Sequence, residues 1–413
     1  MKNILIKNIK GLVGVLENNS KALRGKELSD LKTIENAFLA IENGKISYYG
    51  SMHDMQGITD WRNLEIIDAE GKFVLPAFCD SHTHLVFAKS REAEFVDRIN
   101  GLTYEEIGQK GGGILNSARK LAEMSEDELF KNALQRLELI KKWGTGAVEI
   151  KSGYGLSIDA ELKMLRVIKR LKNESDLTIK ATFLGAHSFP LEYKDNKDAY
   201  VDLVINDMLP IVKSENLADY IDVFCERNYF TTEQLERILK AGINAGLKPK
   251  IHVNQFSIMG GVEIGVNNQA VSVDHLEELG DDDIKALQNS ETIATALPSC
   301  SFFLNIPYSP VKKMLEHNIA IALATDFNPG STPSGNMQFV NSLACVKMKL
   351  TPQQALNATT INGAYAMEVN NELGSITVGK LANIIITKKI PSIDYMSYSF
   401  GENCVEKVIC FKA

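Results

Sequence analysis

Histidine is scarce in this chain, seven in 413 residues, yet five of the seven stand at or just beyond the ends of short apolar runs: His82, His84, His187, His252 and His275. His82 and His84 are two apart in Asp80-Ser81-His82-Thr83-His84. Side chains alternate between faces in an extended strand, so both imidazoles point the same way and can pinch one cation. His252 follows another apolar run, and Asp326 ends Ala324-Thr325-Asp326. Three imidazoles and one carboxylate suit Zn²⁺ or Fe, with a position left open for water. Such a cation lowers the pKa of water from 15.7 to about 7, which puts hydrolysis within reach at neutral pH. An H-x-H pair alone means little. His275 alone could be a core histidine, and Asp326 alone a loop cap. The weight lies in five histidines falling on run ends, while His53 and His317 lie elsewhere and take no role.

These residues need a scaffold that gathers distant run ends. Eight β-branched apolar runs are spread along the chain: Phe73–Phe78, Ala147–Ile150, Ile179–Gly185, Ile221–Cys225, Lys250–Val253, Ala270–Val273, Thr292–Leu297 and Ile319–Ala324. Each is followed by an amphipathic stretch, for instance Ile158–Leu171 and Thr232–Ala245. Eight such units predict a closed (β/α)₈ barrel, whose active residues project from the C-terminal strand ends. Outside it, Asn3–Ile9, Ala37–Ile41, Lys45–Tyr49 and Leu64–Asp68 read as strands, with Asn43-Gly44 as a hairpin turn. Near the other terminus Gly374–Ile376, Ala382–Thr387 and Val405–Phe411 read the same way.

Composition narrows the partners. Lys+Arg number 45 against 52 Asp+Glu, and no basic run stands out, so a nucleic-acid partner is not expected. Lysines interrupt every apolar stretch of the first ten residues, and no run reaches the roughly 18 apolar residues a membrane span needs. The six cysteines, at 79, 225, 300, 345, 404 and 410, form no C-x-x-C pair. They read as reduced thiols of a cytoplasmic protein. Cys225 is expected to be a buried structural thiol, and Lys151 and Glu226 to be ion-pair groups or supports behind the ligands rather than ligands.

The stretch Pro76-Ala77-Phe78-Cys79-Asp80-Ser81-His82-Thr83-His84 resembles the first-strand signature of the amidohydrolase superfamily. Lys151-Ser152-Gly153-Tyr154-Gly155, Leu184-Gly185-Ala186-His187 and Asp326-Phe327-Asn328-Pro329-Gly330-Ser331 extend the resemblance, which runs from Gly44-Lys45-Ile46 to Gly379-Lys380-Leu381-Ala382. It implies a barrel over 73–372 and a small β-sandwich built from 1–72 and 373–413. It also implies one Zn or Fe ion per subunit on His82, His84, His252 and Asp326. Relatives with two metals carry a carboxylated Lys after the fourth strand, where this chain reads Cys225-Glu226-Arg227. The substrate implied is a small molecule, 4-imidazolone-5-propanoate, opened by water to N-formimidoyl-L-glutamate in histidine degradation. Its implied contacts are Arg91, Tyr104, Tyr154, His187 and Gln255, with Asn328, Gly330 and Ser331 touching substrate or product. A homodimer is implied as well.

On this reading Asp326 is ligand and general base, and His275 polarises the carbonyl or steadies the oxyanion. Arg91 grips the propanoate with its planar fork. Gln255 hydrogen-bonds the ring but cannot carry a proton. The Gly111-Gly112-Gly113 run lets the backbone approach closely, lets a lid move, or is an ordinary loop. Two rival readings share the sequence. An aminohydrolase acting on an aromatic amine would keep the metal set but have no use for Arg91 with Tyr154. A catalytically dead scaffold barrel would be expected to have lost ligands.

Overall fold

The computed structural model describes residues 3–17, 21–55, 63–102, 106–107, 110 and 112–412. Tyr104 and Gly111 lie outside the described residues. Five strands come first: β1 (Asn3–Val13), β2 (Thr33–Glu42), β3 (Lys45–Ser51), β4 (Leu64–Asp68) and β5 (Lys72–Pro76). Eight follow: β6 (Phe78–Thr83), β7 (Thr145–Lys151), β8 (Thr178–Ala186), β9 (Tyr220–Cys225), β10 (Lys248–Val253), β11 (Ser272–His275), β12 (Ile293–Ala296) and β13 (Ile321–Leu323). Two come last, β14 (Ile384–Lys389) and β15 (Val405–Ile409).

Strands β6 to β13 pair in sequence order, each parallel to the next. The ring closes just beyond β13. Asp326 N donates to His82 O at 3.0 Å, and His84 N donates to Phe327 O at 2.9 Å. Asp80 reinforces the seam by accepting from Thr325 N and Thr325 Oγ1 at 3.0 and 2.7 Å. The barrel is thus closed by the residues that carry the candidate ligands.

Helices cover the outside as the periodicity predicts. One spans Ile158–Glu174 and buries Leu162, Leu165, Ile168 and Leu171 on one face. Another spans Thr232–Ala245, starting at a capping box between Thr231 and Gln234 and ending at Gly246 with φ 94°. A left-handed residue there satisfies the last carbonyls and stops the helix.

The remaining strands form one mixed sheet in the order β15-β14-β5-β1-β2-β3, with β4 also on β1. Strand β1 pairs with β4 through Asn3–Lys7 and with β5 through Gly11 and Leu12, and it turns between them at Asn8, φ 56°. The sheet therefore wraps its own apolar core, including Ile6, Ile9, Leu39, Ile41, Val74, Ile384 and Ile386. Asn43 and Gly44 have φ 52° and 81°, the left-handed pair that a tight hairpin between β2 and β3 requires.

Two strand expectations are corrected. Phe73–Phe78 is not the first barrel strand; it splits at Pro76-Ala77. Ala77 N donates to Asn383 O on the β14 side, whereas Phe78 N donates to Gly144 O beside β7. Consecutive amides thus serve different sheets, and the barrel strand begins at Phe78. Gly374–Ile376 is not a strand either. Ile376 makes only an isolated bridge to Val15, since Gly374, at φ 86°, turns the chain.

Candidate active site

Alternation along β6 directs His82 and His84 to the barrel mouth, where β10 brings His252 and the loop after β13 brings Asp326. His84 Nε2 lies 3.3 Å from His252 Nε2, and Asp326 Oδ1 lies 3.6 and 3.7 Å from the Nε2 atoms of His82 and His84. The rings of His82 and His252 are 4.4 Å apart. All four residues are at most 3% exposed, so water does not screen their interaction.

Carboxylates hold two of these rings from behind. His82 Nδ1 meets Asp274 Oδ2 at 2.7 Å, and His252 Nδ1 meets Asp222 Oδ2 at 2.9 Å. A carboxylate accepts only, so each Nδ1 carries the proton and each Nε2 presents a lone pair. The Nε2 atom of His82 is buried without a hydrogen-bond partner. Lone pairs converging on a carboxylate oxygen among buried side chains, one of them orphaned, fit a divalent cation. Burial above all, with Lys151 and neighbouring rings behind it, holds His82 and His252 well below the usual imidazole range. His84 is held down in the same way, by burial and then by His187. The three rings are therefore neutral, as ligands must be.

Beneath this layer lies a charged one. Lys151 Nζ contacts Glu149, Asp222 and Asp274 at 2.6, 2.8 and 3.6 Å, all with fully buried side chains. Lys250 bonds Glu149, with Ser81 O and Ala366 O at 3.0 Å. One ammonium thus ties together the two carboxylates that aim His82 and His252. Lys151 is an ion-pair group, and so is Glu149, which the sequence reading left unremarked. Glu226 accepts from Phe256 N and Ser257 N at 2.9 and 3.2 Å and anchors the loop carrying Gln255. Cys225 is a buried free thiol.

The mouth opens into a cavity lined among others by His84, Arg91, Tyr154, His187, Gln255, His275, Asp326, Asn328 and Ser331. Gly330 shares its wall through Arg91, whose Nη2 would lie 1.3 Å from a Cβ at that position. Arg91 Nε and Nη1 are buried and make no hydrogen bond; the nearest carboxylate, Glu94, is 3.7 Å away. A buried guanidinium with unmet donors wants an anion. His187 Nδ1 meets Gly153 O at 3.0 Å, which leaves Nε2 toward the cavity, and burial lowers its pKa to about 4.

Tyr154 rides on a loop fastened by Glu161, which accepts from Gly153 N, Gly155 N and Leu156 N. Gln255 Nε2 reaches Cys300 Sγ at 3.5 Å. Asn328 spends its carboxamide on its own loop, donating to Asp326 O and Ser331 Oγ and accepting from Gly330 N and Ser331 N. Of the glycine run, Gly113 opens the helix Gly113–Glu123, and its amide donates to Glu94.

His275 ends β11 at φ 89°, a conformation side chains rarely adopt, and Ser309 Oγ holds its carbonyl at 2.6 Å. Its Nδ1 faces Glu277 at 3.4 Å. Burial disfavours the charged ring, but Glu277 and Asp326 outweigh it and raise the pKa.

Comparison with known proteins places this architecture. Residues 304–410 match the family model described as the amidohydrolase family. An imidazolonepropionase of Christiangramia forsetii is 57% identical over 98% of both chains. One of Alkaliphilus metalliredigens is 40% identical over 99% of this chain and 97% of its own. The chain belongs to the imidazolonepropionase family. Solved structures share the fold of this family member at low identity. An adenosine deaminase of Xanthomonas campestris with bound Zn has a TM-score of 0.73 at 15% identity, covering 99% of this chain and 92% of that one. A guanine deaminase of C. acetobutylicum has a TM-score of 0.71 at 15%, covering 99% of each.

Sequence reasoning on this family member missed the roles of Asp222, Asp274 and Glu149. The signal was present: an acid inside a buried apolar strand needs a partner. His53 is exposed and His317 bonds Lys313 O at 2.8 Å, both away from the cavity. No described helix is long and apolar enough to cross a membrane.

Proposed function

We propose that this protein hydrolyses the cyclic amide of 4-imidazolone-5-propanoate to N-formimidoyl-L-glutamate, a step of histidine degradation, as a cytoplasmic homodimer with one Zn²⁺ or Fe ion per subunit. The observation that carries the reading is the pairing of two features in one cavity. His82, His84, His252 and Asp326 converge at its floor, and the Arg91 guanidinium, with two buried nitrogens making no hydrogen bond, stands at its wall.

His82, His84, His252 and Asp326 would hold the cation, which when bound supplies a nucleophile at neutral pH and polarises a carbonyl. Arg91 takes the propanoate carboxylate and fixes the heterocycle in the cavity. Tyr154 and His187 give it ring faces, and Gln255 donates a hydrogen bond to it. Tyr104 joins them on the strength of the family resemblance. Asp326 takes the proton of the attacking water on a carboxylate oxygen and passes it to the departing ring nitrogen. His275, whose pKa Glu277 and Asp326 raise, donates to the carbonyl oxygen as negative charge develops there, worth roughly 3–4 kcal/mol for one such donor. Asn328 shapes the loop that presents Asp326, Gly330 and Ser331 to substrate and product.

The test is to incubate purified protein with 4-imidazolone-5-propanoate, following loss of substrate absorbance, with metal analysis of the same sample. Turnover is expected in wild type and lost in Asp326→Ala. An Asp326→Ala variant that keeps its rate removes this residue from the reaction, and a metal-loaded wild type that leaves the substrate intact overturns the assignment.

A further inference from the structure

Beside the candidate ligands lies a second group of side chains of types that can ligate a metal. One ring nitrogen of His275, a Glu277 carboxylate oxygen and Cys300 Sγ all lie within 4.8 Å of one another, and all three residues are buried. Cys300 is carried on the helix Pro298–Leu304 that follows β12, and Gln255 Nε2, on the cavity wall, reaches its sulfur. The Glu277 side chain is fully buried, and its Oε2 makes no hydrogen bond. Its separation of 3.4 Å from His275 Nδ1 matches two ligands on one ion, since bonds of about 2.0–2.3 Å set tetrahedral ligands about 3.3–3.8 Å apart. Charge favours the same outcome: one carboxylate, one thiolate and a neutral imidazole around a dication sum to zero, which a desolvated site needs. As the ion binds, the Cys300 thiol proton and the proton on the ligating His275 nitrogen both leave for solvent.

We propose that His275, Glu277 and Cys300 form a second site for a thiophilic divalent cation, Zn²⁺ or Cd²⁺, whose binding inhibits the enzyme by taking His275 out of the reaction. The inhibitory half rests on the role given to His275 above; the binding half does not.

The probe is Cd²⁺, added to enzyme that already holds one zinc per chain. The readouts are the ultraviolet thiolate-to-cadmium charge-transfer band, metal content after desalting, and turnover relative to each variant's own uninhibited rate. Wild type is expected to take up one cadmium while keeping its zinc, to show the band and to lose turnover. Cys300→Ser should lose the band and need about 10- to 100-fold more cadmium for the same fractional inhibition, as should Cys300→Ala if serine folds poorly. The proposal falls if cadmium replaces the zinc one for one, if no band forms, or if the band survives in both variants. Cadmium binding at Cys300 with turnover untouched overturns the inhibitory half and removes His275 from the mechanism. Should the enzyme not act on the imidazolone at all, the band and the metal count still decide the site.

Discussion

Arg91 is the residue whose loss should separate binding from chemistry. Its Nε and Nη1 are buried without hydrogen-bond partners, so the folded protein already bears the cost of desolvating them, and an anionic substrate repays it. Arg91→Ala is expected to raise KM by about 100-fold with kcat nearly unchanged, equivalent to one or two charge-assisted hydrogen bonds at roughly 1.5–3 kcal/mol each. A fall in kcat at constant KM would sink the carboxylate-anchor role. Asp274 should act on the metal instead. It holds His82 Nδ1 at 2.7 Å, and Asp274→Asn is expected to weaken metal binding about 10- to 100-fold in chelator competition, with substrate KM for the loaded enzyme little changed. Unaltered metal affinity would show that packing alone orients the ring. The candidate ligands were legible because histidines are few and their spacing reports a shared strand face. Asp222, Asp274 and Glu149 were not legible as their supports, because pairing across strands depends on register, which no single strand declares. Glu149 and Lys151, two apart and therefore on one face of β7, came nearest to declaring it.

At the level of elements, the loop after β13 works as one piece. Asn328 Oδ1 gathers the amides of Gly330 and Ser331 at 2.8 Å each, and Asp326 itself sits at φ 56°. Gly330 has no positive φ that would demand glycine, but a Cβ there would fall 1.3 Å from Arg91 Nη2. The obstacle is the mobile end of a side chain, so the fold can yield where the anchor cannot. Gly330→Ala should therefore raise KM at least about tenfold while leaving Tm within about 2 °C of wild type. A large drop in Tm would mean that the loop, not the guanidinium, gives way. The barrel itself was legible from eight apolar runs, and the helix Thr232–Ala245 has the bounds its periodicity predicts. The handover between sheets was not. Phe73 to Phe78 reads as one apolar strand that includes Pro76, and only hydrogen-bond direction shows that Ala77 serves the β14 side and Phe78 the barrel.

Taken whole, the molecule is a device for drying three histidines. The ring of strands, its charged under-layer and the closing contact between β6 and the loop after β13 leave His82, His84 and His252 at most 2% exposed. This has a consequence for pH. A histidine held well below its usual range takes no proton as pH falls through 6.5, so protons do not compete with the cation at those three nitrogens. Asp326 moves the opposite way: burial, opposed by His275 and local hydrogen bonds, pushes its carboxyl up to about 6. Protonation of that oxygen removes a ligand, so acidification through 6 costs affinity through Asp326 first. Metal affinity measured by chelator competition is expected to stay level from pH 8 to about 6. Below that it should fall about tenfold per pH unit, the slope of a single proton. Asp326→Asn, which cannot titrate there, should bind metal more weakly throughout and lose the break near pH 6. A decline that begins near 7 and runs with the slope of two or three protons would mean that solvent reaches the imidazoles, and that the barrel does not isolate its centre in the way the packing requires.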